Sequence, residues 1–208
     1  MRGYCRVVQK GEAASGYRKP TRRERDVRRG DLVESARALF FDEPFAGIGM
    51  PEIAAAGQVS RATAYRYFPG GRAEVFLAVA ESVVEELRDR LHHATEGPFS
   101  AAKRMEHLLA ALFSYFSANP AAYRLLFQDL WATGDADVAR AVVAARAPLA
   151  AEVASIVAAG GGEAADVVLT SNGILGCGVA NLEQVFAGTV DGESAWRVTC
   201  EMAVACLR

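Results

Sequence analysis

Apolar residues recur at helical spacing from position 32 onward. The first series stands at i, i+4, i+7 and i+8, which is one face of a helix, and consists of Leu32, Ala36, Leu39 and Phe40. Pro44 and Gly47 interrupt this spacing, and proline lacks the N–H that would continue a helix. The pattern therefore predicts an amphipathic helix that ends before Pro44.

Two short helical patterns follow and meet at a tight turn, Gly57-Gln58. Gly49 is the expected N-cap of the first, with Pro51 in its first turn, where a missing N–H costs little. Ser60 can cap the second, which is predicted from Arg61 to Tyr67. This order predicts a helix-turn-helix, a motif whose second helix can lie in the major groove of DNA.

A longer helix is predicted from Arg72 to about Ala94, with Val75, Phe76 and later apolar residues on one stripe. At about 1.5 Å per residue it is more than 30 Å long, which suits a strut between two domains. Five more helical patterns follow, and Pro148 is expected to kink or split the third of them. They cover residues 100–118, 120–131, 135–159, 163–187 and 193–207.

These patterns predict an all-α protein, because none of the segments alternates like a strand. Residues 1–20 lack periodicity and are expected to be a flexible tail. Residues 21–72 form the predicted helix-turn-helix domain, the strut spans about 72–94, and residues 95–208 form a helical body.

Charge divides the chain into two unlike parts. Residues 1–72 hold 14 Lys and Arg against 8 Asp and Glu, whereas residues 73–208 hold 9 against 17. A basic N-terminal part on an acidic body indicates that the N-terminal part meets a polyanion. A chance fluctuation of surface charge explains the same numbers about equally well.

Composition favours a soluble, cytoplasmic protein. Hydrophobic residues make up 51% of the chain and charged residues 23%, as in ordinary globular proteins. Cysteines 5, 177, 200 and 206 show no metal-ligand spacing, so reduced, mostly buried thiols are expected. The longest uncharged run, residues 167–182, is shorter than the ~20 residues of a membrane span. We therefore expect no membrane partner.

The second helix of the motif carries residues suited to DNA. Ala62 and Ala64 keep it slim, Arg61 can reach a guanine edge or a phosphate, and Thr63 offers a hydroxyl and a methyl group. Tyr65, Arg66 and Tyr67 place hydrogen-bond donors at the helix end, where phosphates would pass. An ordinary core hairpin with packed tyrosines is the alternative for a pattern of this kind.

The order of residues resembles the DNA-binding domain of TetR/AcrR-family transcriptional regulators over about residues 30–80. The matching positions are Ile53-Ala54, Val59-Ser60, Thr63, Tyr65 and Tyr67-Phe68, followed by a basic residue. The resemblance implies that Arg61, Ala62, Thr63 and Ala64 read bases. It also implies that Ser60, Tyr65, Tyr67 and Arg72 bind DNA phosphates.

Three features depart from that family's pattern. Gly49 stands where Thr or Ser is usual, and Gly57-Gln58 replaces the usual Ala-Gly turn. The left-handed residue of the turn is then Gln58 or Gly57, at a cost of about 1 kcal/mol for Gln58. The basic residue Arg72 also comes one position late. The basic run 22–29 either adds phosphate contacts from an N-terminal arm or is a solvated helix start.

The resemblance implies that residues 95–208 are a ligand-binding and dimerisation domain for a small-molecule effector. Aromatic residues in its middle are mostly expected in the core, with some of them lining an apolar pocket. The candidate pocket residues are Leu112, Tyr115, Phe116, Tyr123, Phe127 and Trp131. The last two helices are poor in charge, which favours a homodimer interface there over burial within one subunit.

The leading hypothesis is a DNA-binding repressor that a small molecule releases from a palindromic operator. Catalysis is not expected, because no nucleophile elbow, phosphate loop, carboxylate pair or metal-ligand set stands out, and no cofactor is implied. The remaining alternative is a helical interaction or ligand-binding protein of the same fold that has lost specific DNA binding.

Overall fold

The computed structural model describes residues 21–129, 134–161 and 164–207. These residues form helices and connecting loops and contain no strand, so the all-α prediction is confirmed. The expected tail, residues 1–20, and Trp131 lie outside the described residues. The helices are α1 (Arg22–Asp42), α2 (Met50–Ala56), α3 (Arg61–Tyr67), α4 (Arg72–Thr95), α5 (Ala101–Ala118), α6 (Pro120–Tyr123), α7 (Ala136–Ala145), α8 (Ala147–Ala159), α9 (Ala164–Phe186) and α10 (Gly192–Ala205).

Helix α1 begins ten residues before its apolar face. Thr21 caps it: its hydroxyl accepts from the N–H of Glu24, and the Glu24 carboxylate accepts from the N–H of Thr21 at 2.7 Å. The basic run 22–29 is therefore helical, as the solvated-helix alternative expected. The buried face consists of Leu32, Val33, Ala36 and Phe40.

Three phenylalanines join α1 to α4. The ring of Phe76 meets Phe40 edge-on at 5.3 Å and Phe45 at 4.9 Å between centroids. Phe45 lies in the 3₁₀ turn Phe45–Gly47, which connects α1 to α2. These contacts fix the first helix and the connecting loop on the start of α4.

Helix α4 has 24 residues and is about 36 Å long, as the strut prediction requires. Its N-terminal part packs on α1, and its remaining length packs on α5, α7 and α8. Phe76, Val83 and Leu91 are buried at successive heights along it. Helix α4 therefore contacts both α1 and the C-terminal helices.

The C-terminal helices α5, α8, α9 and α10 pack on one another, while α6 runs directly into a π-helical turn, Arg124–Gln128. Segment Ala136–Ala159 has the length and hydropathy of a membrane span. It is nonetheless divided at Arg146, with Pro148 in the first turn of α8, as expected for a proline at that position. Both of its halves pack on α4.

Candidate nucleic-acid interface and ligand cavity

Helix α2 is seated by its N-terminus and its apolar face. The N–H of Gly49 donates to the Glu52 carboxylate at 3.0 Å, which is the half of a capping box that needs no side chain at position 49. Met50, Ile53 and Ala54 are buried. The helix therefore holds a fixed orientation despite the absence of Thr or Ser at position 49.

The turn between α2 and α3 places Gln58 in the left-handed region, with φ of 52°. Gly57 has φ of −79°, so its lack of a side chain serves another purpose. A Cβ at Gly57 would lie 2.2 Å from Cδ1 of the buried Leu32. Gly57 thus permits the close approach of α1, while Gln58 carries the backbone strain.

Ser60 caps α3. Its hydroxyl accepts from the N–H of Thr63 at 3.1 Å and donates to the Thr63 hydroxyl at 2.9 Å. The N–H of Val59 donates to the carbonyl of Ala54 at 2.9 Å, which closes the turn behind the cap. Helix α3 spans Arg61–Tyr67, the range that its sequence predicted.

The exposed face of α3 presents Arg61, Ala62, Tyr65 and Arg66, with Thr63 half-buried beside them. Tyr65 is 40% exposed, and the Arg61 guanidinium lies 5.8 Å from the centre of its ring. These side chains form a cationic, hydrogen-bonding surface on a slim helix.

The structure corrects the expectation for Ala64. Its side chain is fully buried, so it packs in the core and is not available to read bases. The spacing explains this: Ala64 lies one turn after Ser60 and one turn before the buried Phe68, on the face that meets the other helices.

Arg72 also departs from its expected role. Its Nη1 donates to the carbonyls of Ile48 at 3.0 Å and Phe45 at 3.4 Å, and its guanidinium lies 4.1 Å from the Phe45 ring centre. These contacts brace the loop before α2 against α4. The guanidinium is therefore occupied within the protein rather than turned toward a phosphate.

A cavity of about 450 Å³ opens between α4, α5, α7, α8, α9 and the π-helical turn. Of the candidate pocket residues, Leu112, Phe116 and Phe127 line it. Tyr115 and Tyr123 do not line it: both are buried in the core, and the Tyr123 hydroxyl donates to the carbonyl of Val179 at 3.3 Å. Burial raises the pKa of both tyrosines.

Comparison with known proteins shows which family these features resemble. Residues 32–79 match the sequence model of the bacterial regulatory proteins of the tetR family. The transcriptional activator FasR of Mycolicibacterium smegmatis is 31% identical over 134 residues, which are 64% of this chain and 61% of FasR. The nucleoid occlusion factor SlmA of Shewanella woodyi is 29% identical over 102 residues, 49% of this chain and 51% of SlmA. The chain thus spans between half and two thirds of these two relatives.

Solved structures share the fold over most of the chain. A TetR-like regulator from Rhodococcus sp. RHA1 has a TM-score of 0.64 at 20% identity and covers 89% of this chain and 96% of its own. FadR of Bacillus subtilis, solved with stearoyl-CoA, has a TM-score of 0.73 at 13% identity, with 85% and 97% covered.

The chain therefore has a TetR-like fold, and its residues 32–79 match the TetR-family model.

Two polar clusters of the protein were not expected from its sequence. In the first, Arg124 donates through Nη2 to the carbonyls of Phe40 at 2.6 Å and Phe41 at 3.2 Å, and through Nε to buried Asp129 at 3.3 Å. Burial raises the pKa of Asp129, although Arg124 acts to lower it. The π-helical turn is thus hydrogen-bonded to the C-terminal end of α1 through Arg124.

In the second cluster, Arg37 of α1 pairs with Glu86 of α4, and Glu86 also accepts from Arg90 at 3.0 Å. Burial acts to raise the pKa of Glu86, but the two arginines outweigh it and hold that pKa below its usual value. The partners are 49 residues apart in sequence, so no local spacing could reveal the pair. The first cluster therefore joins α1 to the π-helical turn, and the second joins α1 to α4.

Proposed function

We propose that the protein is a sequence-specific DNA-binding transcriptional regulator. The observation that carries this proposal is the exposed face of α3 within a segment that matches the TetR-family model. In the proposal, Arg61, Ala62 and Thr63 meet base edges, while Tyr65 and Tyr67 contact phosphates. Ser60 contributes mainly by capping the helix, since its hydroxyl already accepts a hydrogen bond from the Thr63 N–H and donates one to the Thr63 hydroxyl.

We infer that a small molecule in the cavity controls DNA binding. The cavity size falls within the range of about 300–1,000 Å³ that is typical of ligand sites. Phe127 lines the cavity on the same π-helical turn whose Arg124 holds the end of α1. A ligand that shifts this turn therefore shifts α1, and the motif packed on it, which releases the operator in a repressor.

The active form in this proposal is a homodimer through α9 and α10. Several large apolar side chains on these helices face solvent: Val168 (58%), Leu169 (71%), Val198 (40%) and Met202 (52%). Exposed apolar surface of this kind favours a protein interface. A twofold dimer would place two copies of α3 in successive major grooves, about one helical turn of DNA apart.

Domain limits and location follow from the same proposal. Residues 21–72 form the DNA-binding domain, and residues 95–208 form the ligand-binding and dimerisation domain. The regulator acts in the cytoplasm, where it meets double-stranded DNA and its effector, and it performs no catalysis.

A gel-shift assay on the DNA that flanks its own gene tests the proposed function. We expect the purified chain to shift a sequence-preferring complex whose affinity falls steeply as salt rises, because each phosphate contact releases counterions. A scrambled duplex of equal composition is the control. Equal binding to both duplexes, or none to either, would contradict the proposal. Measuring transcription of the flanking gene with and without the protein then distinguishes repression from activation. FasR is named as an activator.

A further inference from the structure

A single arginine enters a cavity that is lined mostly by apolar residues, with Asn172 and Glu183 as its other polar residues. Arg146 lies at the junction of α7 and α8, half-buried, and its guanidinium is 4.6 Å from the centre of the Phe127 ring. Within residues 21–129, 134–161 and 164–207, its side chain has no hydrogen bond and no carboxylate oxygen within 4.0 Å. The contact with the Phe127 ring compensates for only part of the hydration that the half-buried guanidinium loses.

An unpaired charge in this position costs free energy. Desolvation lowers the pKa of Arg146, yet a guanidinium remains protonated at any physiological pH. Glu183 also lines the cavity, but it is exposed and does not pair with Arg146. Tyr123 is nearby and stays neutral, since burial raises its pKa. The guanidinium of Arg146 therefore has no paired counter-ion among these neighbours.

The rest of the cavity suits a hydrocarbon. Leu91 and Leu108, from α4 and α5, face Leu149 and Val153 of α8, with Leu175 of α9 beside them. Apolar surface of this kind binds chains or ring systems through the hydrophobic effect and has no directional preference along them.

We propose that the effector is an anionic amphiphile, whose apolar part fills this cavity and whose single carboxylate or phosphate group pairs with Arg146. Arginine binds either group through paired N–H donors, so the two sources share one recognition chemistry. The role of this ligand as an effector rests on the proposed function. The binding itself can be measured without DNA.

Four probes with the same twelve-carbon chain test the proposal by isothermal titration calorimetry on the full chain. They are dodecanoate, dodecyl phosphate, dodecanol and dodecylammonium. We expect at least one anion to bind about tenfold or more tighter than dodecanol, because its headgroup pairs with the partly desolvated guanidinium of Arg146. Dodecylammonium should bind weakest. The two anions distinguish a carboxylate from a phosphate headgroup. Dodecanol binding as tightly as both anions, or no binding by any probe, would overturn the proposal.

Two variants locate the anion. Arg146→Gln should lose the preference for anions while keeping its affinity for dodecanol. Arg140→Gln, an exposed arginine on the same helix α7, should keep the wild-type preference. Circular dichroism checks that the variants fold. If Arg146→Gln does not fold, Arg146→Lys replaces it in the test; this variant retains the charge and should retain part of the preference for anions. An unchanged preference in a folded Arg146→Gln variant would overturn the proposal.

A DNA readout keeps the two proposals apart. Anion binding that depends on Arg146 but leaves operator binding unchanged supports the ligand class and contradicts ligand-controlled release. Operator binding without any anion preference supports the regulator and contradicts the ligand class.

Discussion

Gln58 has an unfavourable backbone conformation in the turn between α2 and α3. It is the sole non-glycine residue with positive φ in the described part of the chain. We expect Gln58→Gly to raise the free energy of unfolding by about 1 kcal/mol, because glycine adopts this region without a Cβ clash. Urea denaturation measures the change.

The neighbouring glycine is the matched contrast. Gly57→Ala should lower the free energy of unfolding by about 1–3 kcal/mol, since its Cβ would press on buried Leu32. If Gly57→Ala is neutral and Gln58→Gly destabilises the protein, the assignment of the left-handed residue is wrong.

The thiols of the C-terminal helices should differ in reactivity. Burial raises the pKa of Cys200 to about 11, whereas Cys206 is exposed. At pH 8 the thiolate of Cys200 is therefore scarce, and its alkylation should rise about tenfold per pH unit toward that pKa. Iodoacetamide labelling read by mass spectrometry checks this order. Equal rates for the two cysteines at pH 8 would contradict it.

Individual residue roles were the hardest part to predict from sequence. Helical spacing places Ala64 on the same face as Phe68, but only the folded structure shows that this face is the buried one. Arg72 and Arg146 are both isolated arginines in the sequence. Only the folded structure shows that one meets two carbonyl oxygens and the other meets no counter-ion among the described residues.

At the scale of helices, the sequence predicted more. The limits of α3 were predicted to the residue, and α4 ends at Thr95, one residue past the predicted end. The capping-box spacing of Thr21 and Glu24 is the sequence signal for the start of α1. The π-helical turn has no comparable signal, and the partners of its Arg124 on α1 are more than 80 residues away in sequence.

The contact between the π-helical turn and α1 should contribute measurably to stability. Arg124→Gln leaves buried Asp129 and two carbonyl oxygens without their donor. We expect a loss of about 1–3 kcal/mol in the free energy of unfolding. Arg140→Gln, which alters an exposed i,i+3 pair, should change it by less than about 0.5 kcal/mol. Equal effects of the two variants would show that the Arg124 contacts are not significant.

For the whole molecule, the dimer proposal depends on the solvent-facing residues of α9 and α10. Leu169→Glu places a charge on the most exposed of these side chains and should weaken a homodimer by about tenfold or more. Val27→Glu adds the same charge at an exposed apolar position on α1 and should leave the dimer intact. Sedimentation velocity across a concentration series measures both, and dissociation by Val27→Glu alone would place the interface elsewhere.

The molecule as a whole links two surfaces through α4 and the π-helical turn. The exposed face of α3 meets DNA in this account, and the cavity behind α4 senses the effector. The charge division along the chain agrees with that arrangement, since the basic excess lies in residues 1–72. The family comparison supports it independently over residues 32–79.

Selection of bound duplexes from a random pool, followed by fluorescence anisotropy on the enriched sequence, tests the central claim most directly. The account predicts a twofold-symmetric site with half-sites about 10 bp apart. It also predicts that Arg61→Ala weakens binding by about tenfold or more, while Arg140→Ala does not. No enriched sequence, or equal affinity of Arg61→Ala and wild type for it, would contradict the assignment of α3 as the helix that reads DNA.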